Sequence, residues 1–166
     1  RDKLLWLNHH YIMNADTEQV AHHLEWHMVQ RGLDLGKGPR LADVVIAQRE
    51  RCKTLVEMAD ASVYFYRDFE TYDEKAAKKN FTVDAVPVLT KLHDTLAQQL
   101  SWEKEAFHDI VINTAEQLGL GLGKVGQPLR VAVSGSSMSP PIEVTLWLLG
   151  KETTLARIKQ SIEYIK

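Results

Sequence analysis

The side chains best suited to chemistry fall into three groups. Five of the seven histidines stand together as His9, His10, His22, His23 and His27. His23 and His27 are four apart, so one helix face could present both imidazoles to a zinc ion. A zinc protease of that pattern needs its glutamate directly after the first histidine, whereas Glu25 lies two after it, on the far side of the helix. No cysteine pair completes such a site: Cys52 is the single cysteine, it can form no internal disulfide, and no redox motif surrounds it. The second group is a run of cations, Arg40, Arg49, Arg51 and Lys53. At about 100° per residue, a continuous helix would bring Arg40 and Arg51 to one side and turn Arg49 and Lys53 away, solvated or salt-bridged. The third is Arg130, inside an apolar run, followed by the turn Ser139-Pro140-Pro141-Ile142. No phosphate-binding loop, dinucleotide glycine fingerprint or nucleophile elbow is present.

The elements that must position these residues read as helices. Lys3 to Met13 is the first. Asn14 or Asp16 caps the next, Thr17 to Arg31, whose apolar side is Val20, Leu24, Trp26 and Met28 and whose stop is Gly32. Asp34 to Arg40 is a loop by its two glycines and proline. A helix from Leu41 breaks near Cys52, and Thr54 to Glu57 has the form of a capping box that opens another. Val63 to Tyr66 forms the packed end of the first helical unit. Asp73 caps Glu74 to Asn80. Thr82 or Asp84 begins a longer helix to Leu100 with Pro87 in its first turn, and Ser101 caps Trp102 to Leu118. Gly119, Gly121 and Gly123 loosen the chain. Pro128 is then read as a first helical residue and Gly135 as its stop, although Val131-Ala132-Val133 has strand propensity. Pro141 and Gly150 bracket the next helix, and Thr153 or Thr154 caps the last. Trp6, Trp26, Trp102 and Trp147, at helical spacings among aliphatics, are expected in the core.

The chain of 166 residues has 45% apolar and 25% charged residues and a net charge of −2. It can bury a core, and it exerts no global basic field on nucleic acid, so any anion-binding face must be local. No run approaches a membrane helix of about 20 apolar residues. The start at Arg1-Asp2-Lys3 carries no initiator methionine and no signal pattern, as in a fragment of a longer chain. One unpaired cysteine suits a reducing, cytoplasmic setting.

Three separated motifs resemble bacterial-type glutamyl-tRNA synthetases in their order. Lys3-Leu4-x-Trp6-Leu7-Asn8-x-x-Tyr11-Ile12 is similar to the segment after the catalytic KMSKS-type loop. Arg49-x-Arg51-x-x-Thr54-Leu55 follows, with the Phe65-Tyr66 element. Gln127-Pro128-Leu129-Arg130-x-Ala132-x-x-Gly135, Pro140 and Leu148-Leu149-Gly150-Lys151-Glu152 resemble the family's C-terminal region. The likeness spans essentially the whole chain. It implies an all-α architecture of two small helical subdomains, 1–66 after the catalytic domain and 67–166 for anticodon binding. The partners implied are tRNA for glutamate and the chain's own N-terminal catalytic domain, with no membrane and a monomeric state. ATP and magnesium belong to the full-length enzyme; this stretch has no catalytic residue, no metal ligand and no cofactor of its own.

In the resemblance Arg51 stands where the family sets an arginine against the third anticodon base. Glutamate codons require cytosine there and glutamine codons guanine. Cytosine's pairing edge offers acceptors at O2 and N3, guanine's offers donors at N1 and N2, and arginine only donates. A good polar base contact discriminates by about 1–3 kcal/mol. Arg40, which helical spacing sets on the same side if the helix is continuous, is the companion phosphate contact. Arg130, Ser139, Pro140, Pro141 and Ile142 match positions that approach the first anticodon base, where a doubly proline-stiffened turn with an apolar Ile142 fences a splayed base. Pro141 replaces a glycine common in the family, so no backbone amide can donate there. Two other readings are a helical protein-interaction module and, more remotely, a metal-dependent enzyme built on His23 and His27.

Overall fold

The computed structural model describes residues 2–166. All regular structure among them is helical, and the chain divides into two compact units, one up to Asp68 and one from Phe69.

The first unit contains α1 (Asp2–Asn14), α2 (Thr17–Gln30), α3 (Leu41–Gln48) and α4 (Leu55–Ser62), with 3-10 turns at Leu35–Lys37 and Val63–Phe65. α2 packs on α3 and α4. Its inner stripe is Val20, Ala21, Leu24 and Met28, recurring every three or four residues. Trp26 sits two residues from Leu24, about 200° around the helix, and points out. Trp26 and Trp6 are both 63% exposed, which corrects the expectation that they are core. The Asp16 carboxylate caps α2 at the Gln19 amide. At its other end Gly32 (φ 74°) lets the Gly32 and Leu33 amides bond back to Val29 and Met28. Thr54 caps α4, accepting from the Glu57 amide at 3.0 Å, while the Glu57 carboxylate reaches the Lys53 amide. Buried Gln48 ties the end of α3 to the Ala61 carbonyl and the Ser62 hydroxyl.

The second unit contains α5 (Glu74–Asn80), α6 (Ala85–Ala97), α7 (Lys104–Leu118), α8 (Leu122–Ser134), α9 (Ile142–Leu149) and α10 (Lys151–Ile165). α8 is its axis and packs against the other five. Val125, Leu129, Val131, Ala132 and Val133 are wholly buried on it, so the apolar run needs no sheet: a helix surrounded on most sides buries it equally well. α6 packs on α10, and α7 on α9. Trp102, just before α7, is tied to α9 by a 2.8 Å bond from its indole N–H to the Leu146 carbonyl. Arg157 of α10 is buried, donates to the Val133 carbonyl at 2.7 Å and lies over the Phe69 ring.

Several boundaries differ from expectation. Pro128 lies inside α8, not at its start. Its missing amide would have faced the Lys124 carbonyl, on an exposed turn where water can serve instead. Gly119 (φ 67°) ends α7, but Gly121 is the N-cap of α8 and Gly123 and Gly126 lie within the helix. α6 stops at Ala97 and leaves Leu100 outside it. Glu103, not Ser101, precedes α7. Gly150 (φ 84°) takes the N-cap position of α10, so Thr153 and the buried Thr154 lie inside that helix.

Candidate nucleic-acid interface

Arg51 stands in a turn held at both sides. The Gln48 carbonyl accepts from the Arg51 amide at 2.9 Å and the Cys52 amide at 3.1 Å. Cys52 itself is buried and pins the segment to the core. Burial first, and the Glu57 charge second, push the Cys52 thiol pKa up, with Arg51 acting in the opposite sense. The thiol therefore stays protonated and unreactive. Between these anchors the Arg51 side chain is exposed and takes no ion pair or hydrogen bond with another described residue.

Arg40 and Arg51 do not share one continuous helix, because α3 ends at Gln48. Arg40 sits at the N-cap position of α3 and Arg51 beyond its C-terminus. Arg40 is 71% exposed, with loose contacts to Glu18 at 3.9 Å and Asp43 at 3.8 Å. Arg49 is neither solvated nor salt-bridged as expected. Its half-buried guanidinium donates to the Ile12 carbonyl at 2.9 and 2.7 Å, to the Ala15 carbonyl at 2.8 Å and to the Thr17 hydroxyl at 3.0 Å. It caps the end of α1 from outside. Only the end of α1 being near α3 in space reveals this, and sequence spacing carries no such signal.

In the second unit, α8 passes to α9 through residues 135–141. Gly135 (φ 83°) makes the turn, and a Cβ there would lie 3.2 Å from the Phe69 ring. Its carbonyl accepts from the Asp73 amide at 2.7 Å, which fastens the start of α5 to the end of α8. The Ser139 hydroxyl donates to the Pro140 carbonyl at 2.7 Å. The Thr145 hydroxyl lies 3.0 and 3.2 Å from the Pro140 and Pro141 carbonyls and 3.3 Å from the Ser139 hydroxyl. Ser139, Pro140 and Ile142 are buried and hold the turn from within, and Pro141 is the exposed one of the four. Met138, which the sequence reading passed over, is exposed at the same tip. Arg130 is half-buried one helix turn before Ser134, whose hydroxyl lies 2.6 Å from the Arg130 carbonyl. The structure thus gathers Arg130 and residues 139–142 within one unit and puts Arg40 and Arg51 at the two ends of α3 in the other.

Three of the histidines meet aromatic neighbours near the surface. The Tyr11 hydroxyl and His23 Nδ1 share a 2.7 Å hydrogen bond, Trp6 stacks on His10, and Trp26 meets His27 edge-on. Among the described residues no three His, Cys, Asp or Glu side chains are arranged to hold a metal ion, and no helix is long and apolar enough to cross a membrane.

Comparison with known proteins bears on this arrangement. Glutamate–tRNA ligase 1 of Nitrosococcus oceani is 51% identical over 164 residues, covering 99% of this chain and 35% of that protein. The crystal structure of a glutamate tRNA ligase from Elizabethkingia meningosepticum superposes with a TM-score of 0.88, covering 99% of this chain and 32% of the other. Its identity of 24% makes that a likeness of fold. Glutamate-tRNA synthetase from Elizabethkingia anophelis superposes with a TM-score of 0.81 at 26% identity, covering 98% of this chain and 31% of the other. The chain therefore spans about a third of the length of these relatives. Residues 18–162 match the model of the anticodon binding domain, and the chain belongs to that family.

Proposed function

We propose that this chain is the anticodon-binding part of an ATP-dependent glutamate–tRNA ligase, reading tRNA for glutamate and activating nothing by itself. Residues 1–66 serve as the helical subdomain next to the N-terminal catalytic domain and residues 67–166 as the anticodon-binding subdomain. The protein acts as a monomer in the cytoplasm. ATP and magnesium act in the catalytic domain; the described residues offer no cluster of metal ligands for them.

The observation that carries the reading is the exposed, uncommitted guanidinium of Arg51 on a pinned turn. Such a group is preorganised for an acceptor edge, because little ordering is needed when a base arrives. An anticodon loop supplies unstacked bases that a duplex does not. Arg51 donates to O2 and N3 of a cytosine at the third position and opposes the donors of guanine. Arg40 contacts phosphate. Pro141 presents its ring to the first anticodon base, Arg130 approaches the same base, and Ser139, Pro140 and Ile142 keep the turn in shape. The exposed Leu4, Trp6 and Leu7 of α1 support contact with the N-terminal catalytic domain.

The test is binding of tRNAs that differ only at the third anticodon base. Wild-type protein should favour cytosine over guanine by roughly ten- to a hundredfold. Arg51→Gln should narrow that ratio to a few-fold, since an amide both donates and accepts. Undiminished discrimination in the variant would remove Arg51 from the site.

A further inference from the structure

α5 carries Lys75, Lys78 and Lys79 in a seven-residue helix with one acidic residue, Glu74. At about 100° per residue the three lysines fall within an arc of about 100°, roughly opposite Ala76 and Ala77. The alanines are buried and α5 packs on α8, so the lysine arc faces outward, and all three lysines are exposed. Among the described residues none of them takes an ion pair, and Glu74, one turn before Lys78, takes none either. The Asp73 carboxylate is engaged in capping the Ala76 amide at 3.0 Å.

Helix electrostatics explains only part of this cluster. Lys78 and Lys79 stand in the last turn, where a cation complements the helix dipole. Lys75 stands in the first turn, at the end that disfavours a cation, and repels Lys78 and Lys79 at spacings of three and four. A lysine there is disfavoured by the helix itself, and an anion meeting the arc offsets that. The location of the arc is equally specific. The bond from the Asp73 amide to the Gly135 carbonyl fixes α5 beside the residue where α8 gives way to the turn bearing Pro141.

We propose that the lysine face of α5 is a docking surface for the ribose–phosphate backbone of the RNA arm whose bases meet the neighbouring turn. The proposal rests on the anticodon-reading function above and adds the element that positions the strand. Lysine suits this task as a mobile point charge for phosphate, contributing affinity and register but no base preference.

The experiment measures affinity for the cytosine- and guanine-bearing tRNAs from about 50 to 200 mM salt, for wild type, Lys75→Ala/Lys78→Ala/Lys79→Ala and the corresponding triple arginine variant. Each lost phosphate contact should reduce the slope of log affinity against log salt by about 0.7–0.9. The triple alanine variant should weaken both tRNAs by the same factor and flatten the slope by about 2. Over a fourfold change in salt that is about a 16-fold smaller loss than wild type suffers. The arginine variant should keep wild-type affinity and slope. An unchanged slope in the alanine variant, with wild type still preferring cytosine, overturns the lysine surface and leaves the anticodon reading standing. A changed cytosine-to-guanine ratio overturns it too, because backbone contacts carry no sequence. So does an arginine variant as weak as the alanine one, or polyglutamate competing as well as RNA of equal charge, which would make the partner an acidic protein. Absence of tRNA binding by wild type overturns both proposals together.

Discussion

Arg49 and Arg51 are two residues apart and should fail in opposite ways when each is replaced by methionine. Arg49 donates four hydrogen bonds, three of them to carbonyls at or just past the end of α1. The last carbonyls of a helix have no partner within it, and a cation there also meets the negative end of the dipole. A hydrogen bond from a charged donor is worth about 1.5–3 kcal/mol, but this guanidinium is half-buried, and water would reach some of the carbonyls it leaves. The expected loss for Arg49→Met is therefore about 2–3 kcal/mol, well short of the sum of four bonds. For a unit of this size that lowers Tm by roughly 10–20 °C. Arg51→Met removes an exposed side chain with no ion pair among the described residues, so stability should move by no more than about 0.5 kcal/mol. The same variant should lose preference for cytosine at the third anticodon base, because a thioether cannot donate. Thermal unfolding followed by circular dichroism, with tRNA binding on the same samples, separates the two. Equal Tm losses, or a neutral Arg49→Met, would refute the division of labour.

A glycine within α8 and the one that ends it should respond with opposite sign. Gly126→Ala fills open space inside a helix and should stabilise by about 0.5–1 kcal/mol, whereas Gly135→Ala must hold a left-handed backbone against the Phe69 ring and should destabilise by about 1–2 kcal/mol or more; urea unfolding reads both. Tyr66 predicts an alkaline weakness. Its buried hydroxyl donates to the Pro39 carbonyl at 2.8 Å, and burial first, then the Asp43 charge, raise its pKa above the usual value. The folded state holds that proton more tightly than the unfolded state, so this stability is complete below about pH 10 and falls as pH rises toward the folded pKa. Tyr66→Phe should flatten the decline in urea midpoint above pH 10, leaving a smaller slope from Tyr72, whose pKa is also raised by burial. Identical slopes in wild type and variant would remove Tyr66 from the account.

What the sequence makes legible is mostly local. Asp16, Thr54 and Asp73 are caps because a short polar side chain can reach an amide two or three residues on, and that reach is written in the order of residues. Gly32, Gly135 and Gly150 mark helix ends because each has a positive φ that other residues disfavour. The misreadings at Pro128, Trp6, Trp26 and Arg49 share one cause, that packing against the rest of the unit decided the outcome. Pro128 looks like a helix start by local rules, yet burial of Val125 and Leu129 on the same axis carries α8 through it. Trp6 and Trp26 look like core by residue type, and only the choice of inner stripe turns them outward. Helical spacing sets Arg49 apart from Arg51 but leaves it solvated or salt-bridged, and only the nearness of α1 shows what it bonds. Of the proposed contacts, Arg51, Arg130 and the proline turn came from a family likeness, while the outward arc of α5 needed Ala76 and Ala77 to be seen buried against α8.

A chain of net charge −2 that meets a polyanion depends on which of its cations are still free to do so. Arg31 is taken by Asp60 at 2.8 Å, Arg49 by the end of α1, Arg157 by the Val133 carbonyl, Lys151 by the Gln99 carbonyl at 2.6 Å, and Lys104 lies over the Trp147 ring. These groups have already exchanged water for protein partners and would lose them on turning toward RNA. Arg51, Lys75, Lys78 and Lys79 have not. With Arg40 and the three lysines of α5 as the phosphate contacts, only about four charges are neutralised and the electrostatic share of binding is modest, so affinity should fall with salt far less steeply than the roughly tenth-power dependence of a large DNA-binding repressor. Weak non-specific attraction is an advantage where many tRNAs compete, since it leaves more of the choice to the edge of one base. Adding lysines elsewhere on the surface should therefore tighten binding to cognate and non-cognate tRNAs alike without widening the gap between them, and a wider gap would contradict this account.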